Sequence, residues 1–142
     1  MAKTMDLREY LAELKTAKAE KRQAIENYNE AVARCREAFV PLEGDPKADD
    51  IRELYAMCPS DAPYHRSHIL VALVLALYAP EALFGGRLPM RVAKAVSGAM
   101  GVKHETIYLS RNKVTAWLRL YPDFLRLVSE LFATARQRKV CK

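Results

Sequence analysis

The chain has 142 residues, 51 % of them hydrophobic and 28 % charged. That is enough for one well-buried core, with the fractions of an ordinary soluble protein, and one globular domain plus an appendage is expected. The net charge of +6 divides unevenly: residues 1 to 58 carry 10 basic and 12 acidic side chains, net −2, whereas residues 59 to 142 carry 13 and 5, net +8. A basic half beside a near-neutral one points to a polyanionic partner, nucleic acid before an anionic membrane.

From about Met5 to Phe39 there is neither proline nor glycine, and Ala, Glu, Lys, Arg and Leu dominate, so one long helix is predicted. Leu7, Leu11, Leu14, Lys18, Lys21, Ile25, Tyr28, Val32, Cys35 and Phe39 follow one another at alternating intervals of four and three. This is a heptad seam with two lysines at its centre, and Ala17, Ala24, Ala31 and Ala38 form a row of small side chains beside it. Such a seam needs a cover, either a second copy of the chain or the chain's own globule. Homo-oligomerisation through residues 5–39 is the expectation. Residues 1–40 therefore read as an oligomerisation helix, 41–46 as a linker marked by Pro41, Gly44 and Pro46, and 47–142 as a helical domain.

Asp45 is placed to cap the next helix with Pro46 in its first turn, and Ile51, Leu54, Tyr55 and Cys58 would form its apolar face. Ser60 or Asp61 would then start an apolar helix from about Tyr64 to Tyr78. Its run Ile69 to Ala79 is too short for a bilayer span of ~20 residues and reads as the centre of the core. ALFGGRLP is a turn whose spacing fits neither a P-loop nor a dinucleotide fingerprint. Pro89 opens another helix. Pro122 opens the last one, with Phe124, Leu125, Val128, Leu131 and Phe132 at core spacing, before the basic tail ARQRKVCK.

Catalytic and metal chemistry find little support. Cys35, Cys58 and Cys141 form no CxxC pair, which fits a reduced cytoplasmic (intracellular) setting, and the N-terminus MAKTMDLREY has no signal-peptide core. Cys58, His65 and His68 supply three candidate ligands across a proline-rich turn, short of the four a structural zinc wants, so the histidines read as solvated or capping. Asp49, Asp50 and Glu53 read as a solvated helix face, and Trp117, with Leu118 and Tyr121, as packing. No enzyme activity, cofactor, metal or small-molecule substrate is expected.

The informative stretch is Arg91 to Val114, RVAKAVSGAMGVKHETIYLSRNKV, two short helices joined at Gly101. Val92, Val96, Met100, Val102, Ile107 and Val114 give it a helical apolar stripe. The run Ser97 to Ile107, with Gly101, Val102, Thr106 and Ile107 in their usual places, resembles the core of bacterial and phage helix-turn-helix DNA-binding proteins. Lys103 stands where that family commonly has a capping Ser or Thr, Ser110 where it usually has an apolar residue, and Gly98 weakens the first helix. With Ser110 there, the second helix would be rotated, longer than usual, or packed through Leu109 and Val114 instead.

The resemblance implies that Lys103, His104, Glu105, Tyr108, Leu109 and Asn112 face double-stranded DNA while Ile107 and Val114 hold the helix to the core. Asn112 would meet an adenine edge, and Lys103 or His104 a guanine or a phosphate. Arg87, Arg91, Lys94, Arg111 and Lys113 would contact phosphates, which set affinity and its salt dependence. The implied protein is an all-α, sequence-specific DNA binder, a small regulator or an accessory protein of a phage or mobile element. The alternative is a structural or assembly protein whose helical hairpin does not read DNA.

Overall fold

The structure, a computed structural model, describes residues 6–38, 41–42 and 44–138. Among these it contains α-helices, one 3-10 turn and no strand, so the described chain is all-helical. It separates into two compact units, Met1–Val40 and Pro41–Lys142.

The first unit is helix α1, Leu7–Ala38. Its 32 residues span about 48 Å at ~1.5 Å per residue. Asp6 starts it: the carboxylate accepts the Glu9 backbone N–H at 2.9 Å, satisfying one of the donors a helix leaves open at its N-terminus. From there the helix rests on the propensities of its residues, because none of its described side chains is buried. The seam residues are open, with Leu7 71 %, Leu11 55 %, Leu14 48 %, Ile25 50 % and Tyr28 57 % exposed. The side chains of Val32, Cys35 and Phe39, which continue the seam, lie outside the described residues, as does the tail from Lys139.

In the second unit the apolar helix α3, Arg66–Tyr78, is the centre. Around it lie α2 (Ala48–Met57), a 3-10 turn (Pro80–Leu83), α4 (Met90–Met100), α5 (His104–Leu120) and α6 (Pro122–Gln137), each in contact with α3. Ile69 to Leu75 are all buried, together with Leu77 and Tyr78, so every side of the helix meets a neighbour. Burying each large aliphatic side chain is worth ~1.5–3 kcal/mol, and this helix holds more of the buried side chains than any other element.

The ends of these elements depart from the sequence-based reading in instructive ways. Helix α2 starts two residues later than predicted, at Ala48, and Lys47 rather than Asp45 is its N-cap, without a side-chain cap. Asp45 is turned toward Arg91, 3.6 Å away, and Pro46 is buried. Helix α3 begins at Arg66, close to the expected start near Tyr64, and the His65 ring, rather than Ser60 or Asp61, accepts the Ser67 N–H. Tyr64 instead lays its ring against Phe124 and Trp117, at 4.7 and 5.4 Å between centroids, and its hydroxyl donates to Asp123 at 2.8 Å. Arg66 closes α2: Nε donates to the Cys58 carbonyl at 3.0 Å, a terminal nitrogen donates to the Tyr55 carbonyl at 2.9 Å, and the guanidinium lies over the Tyr55 ring. Helix α6 opens at Pro122 as its sequence suggests, but Leu125 faces outward while Phe124, Val128 and Ala135 are buried.

Candidate nucleic-acid interface

The hairpin of α4 and α5 is built on a left-handed glycine. Gly101 has φ +70°, and the Val102 N–H reaches back to the Ser97 carbonyl at 3.0 Å, the six-residue closure that ends a helix on glycine. The chain turns through Gly101 to Lys103, and α5 begins at His104 with Lys103 as N-cap and no side-chain hydrogen bond there. On the inner side, Val92, Ala93 and Val96 of α4 are buried, as are Ile107 and Val114 of α5. The third buried residue of α5 is Ser110, at 4 % exposure, in the place where an apolar side chain was to be expected.

Ser110 is accommodated by a partner on α3, for its hydroxyl lies 2.6 Å from His68 Nδ1. The His68 ring also meets Trp117 edge to face at 5.3 Å. Burial, then the Lys113 charge, then His65 push His68 below the ordinary histidine range. His68 is thus a packed residue that holds α5, and it is not the solvated histidine its sequence position suggested. The other members of the candidate metal group serve elsewhere: Cys58 donates to the Leu54 carbonyl at 3.4 Å and His65 caps α3. Among the described residues no three His, Cys, Asp or Glu side chains converge, and no helix is long and apolar enough to cross a membrane.

The eleven residues singled out in the sequence divide into three groups. Lys103 at the N-cap of α5 and Glu105, Leu109, Asn112 and Lys113 on it are exposed, and Arg87 and Lys94 are exposed before and on α4. Leu109 is 65 % exposed, so the helix is seated through Ser110 and Val114 and not through Leu109. His104 and Tyr108 are half-buried: His104 lies 3.5 Å from Glu105, and the Tyr108 hydroxyl faces the Met90 sulfur. Two of the arginines are occupied within the fold. Arg91 donates to the Gly44 carbonyl and lies beside Asp45.

Arg111 is the more deeply engaged of the two. It is half-buried, and one terminal nitrogen donates to the Gly86 carbonyl at 3.0 Å and the Ala82 carbonyl at 3.4 Å. It therefore ties the turn before α4 to α5. That turn is itself tight, since a Cβ on Gly86 would stand 2.4 Å from the Glu81 carbonyl oxygen.

At one residue per 100° of helix rotation, Glu105, Leu109, Asn112, Ala116 and Leu120 share one outward line along α5. The second half of that line, with Arg119 beside it, escaped the sequence reading because the resemblance ended at Val114. The period-of-3.6 spacing from Leu109 would have found it. The electrostatic division also shifts. At the boundary between the units the charge is +1 for residues 1–40 and +5 for residues 41–142, because the acidic residues of α2 belong to the second unit. Comparison with known proteins adds no relative: no family model, no curated protein and no solved structure matches the chain.

Proposed function

We propose that the protein binds double-stranded DNA, with α4 bracing α5 as in a helix-turn-helix and the outward line of α5 entering the major groove. The observation that carries this reading is the pairing of a left-handed turn at Gly101 with an α5 whose inner side is held at Ile107, Ser110 and Val114 while Glu105, Leu109 and Asn112 stand free in water. A recognition helix needs that division, because base edges are reached only by side chains the core does not use. Asn112 reads a base edge. Lys94, Lys103, Lys113 and Arg87 supply phosphate contacts, and Arg111 contributes by fixing the turn at residues 82–86. Arg91 and Arg111 each give one terminal nitrogen to carbonyls of the fold, so in this reading they contact phosphate only through their remaining donors.

Residues 5–39 in this reading join a second copy, and the exposed seam of α1 from Leu7 to Tyr28 is the support for it. A gel-shift titration over a salt series tests the DNA reading. Wild-type protein should retard a random-sequence duplex at low salt, and Lys103→Ala with Lys113→Ala should flatten the dependence of log K on log salt by about one unit per lost phosphate contact. Free migration of every duplex at low salt and high protein would favour an assembly role for the same surface.

A further inference from the structure

We propose that the second copy on α1 runs antiparallel, with the two-fold axis at the level of Gln23; this rests on the self-association reading above and adds the direction and register of the pair. Lys18 and Lys21 occupy neighbouring seam positions on an exposed helix. If two copies ran parallel and in register, Lys18 would meet Lys18 and Lys21 would meet Lys21, giving adjacent layers of like charge at the centre of the contact. Reversing one helix exchanges the two kinds of seam position, so each residue meets one of the other kind. About Gln23 this sets Lys18 against Tyr28 and Lys21 against Ile25 of the second copy. No lysine then faces a lysine. The four-carbon stem of each lies on an apolar neighbour with its ammonium at the water's edge, and Lys18 comes within reach of a tyrosine face.

The two borders of the seam fit the same arrangement. In the antiparallel register one border brings Ala17 to Ala31 and Ala24 to Ala24, small against small, so the helices close along it. On the other border, which carries the basic row of Arg8, Lys15 and Arg22, the same register brings Lys15 to Asn29 and Arg22 to Arg22, and the like charges of the arginines stand outside the apolar seam where water and salt screen them. In a parallel pair the alanine row would face the basic row on both borders, and neither would close.

Spin labels on the full chain read the direction. In a background of Cys35→Ala and Cys141→Ser, Ala12→Cys and Gln23→Cys are labelled separately. Cys58 stays, because burial pushes its thiol up to about 11, against the opposing Arg66 charge, and removes its thiolate. Pulsed dipolar spectroscopy should give a short distance between labels at residue 23, set by the ~10 Å between helix axes and the label arms. Labels at residue 12 should stand apart by about 33 Å along the axis, at ~1.5 Å per residue. Short distances at both sites mean a parallel pair and overturn the proposal, as does a long distance at residue 23.

Absence of coupling at both sites, with light scattering giving the mass of one chain for the unlabelled protein, overturns the self-association reading itself. Mixed disulfides guard against a label that breaks the pair. In the same background, oxidation of a mixture of Lys21→Cys and Ile25→Cys chains should join unlike chains in preference to like ones, and the reverse preference overturns the register.

Discussion

Helices α1 and α3 both run without proline or glycine, yet they are held by different forces. Helix α3 has 13 residues, nine of them buried, and is apolar on all sides. Helix α1 has 32 residues, and none of its described side chains is buried. An isolated helix of 13 residues is marginal in water, so α3 is helical because its neighbours cover it. Helix α1 rests on intrinsic propensity, the Asp6 cap and, on our proposal, a second copy. The lesson is that an uninterrupted helical pattern gives the element but not its source of stability, which must be read from what lies around it.

Truncation in each helix gives the largest effect and the sharpest contrast. Leu73→Ala, at a site with no exposure, should cost ~2–5 kcal/mol in the urea unfolding transition followed by Trp117 fluorescence. Leu11→Ala, at 55 % exposure, should leave that transition in place and lower the apparent mass of the protein in dilution. Equal shifts of the Trp117 transition in both variants would break the comparison.

How much of this was legible in the sequence depends on how far apart the interacting residues are. Gly101, Ile107 and Val114 were readable because a turn glycine and a 3.6-residue period are local patterns. The sequence also marked Ser110 as a departure, but it could not supply the answer, since the partner His68 lies 42 residues away on another helix. Arg111 was indistinguishable from its neighbour Lys113 as a basic residue. Only the carbonyls of Ala82 and Gly86 separate a structural arginine from a free lysine. Asp45 misled for a similar reason: Asp followed by Pro is a sound local signal for a helix start, and the Arg91 side chain draws that acid elsewhere. Leu125 belongs to the same class, for it sits beside Phe124 and only the position of α3 decides which of the two is covered.

Two glycines of α4 and its turn offer a smaller but signed test, since the same change should act in opposite directions. At both Gly98 and Gly101 an added Cβ meets nothing within 4 Å, so packing contributes to neither. Gly98 is inside α4 with ordinary helical geometry, and Gly98→Ala should stabilise by ~0.5–1 kcal/mol. Gly101 has φ +70°, and Gly101→Ala should cost ~1–2 kcal/mol. Differential scanning calorimetry should show Tm rising for the first and falling for the second. Two shifts of the same sign would mean that the turn at Gly101 is not the left-handed one.

The smallest effect concerns the proton at His68, and its sign follows from the surroundings of the ring. Half-buried between α3 and α5, His68 is held below the ordinary histidine range by burial first and then by Lys113 and His65. Above pH ~6.5 the imidazole is neutral in both folded and unfolded chains and gives stability no pH dependence. As the pH falls below ~6.5 the unfolded chain takes up the proton first, so stability declines until the pH passes the lowered value of the folded state and levels off beneath it. Protonation also forces Nδ1 to act as a donor, which leaves the Ser110 hydroxyl as acceptor with its own proton to place in a buried site. Urea midpoints at pH 7.5 and 5.5 should therefore differ in the wild type in favour of pH 7.5. His68→Gln, which removes the titration while keeping an amide near Ser110, should shrink that difference, and an unchanged difference would assign the acid sensitivity to residues other than the one that joins α3 to α5.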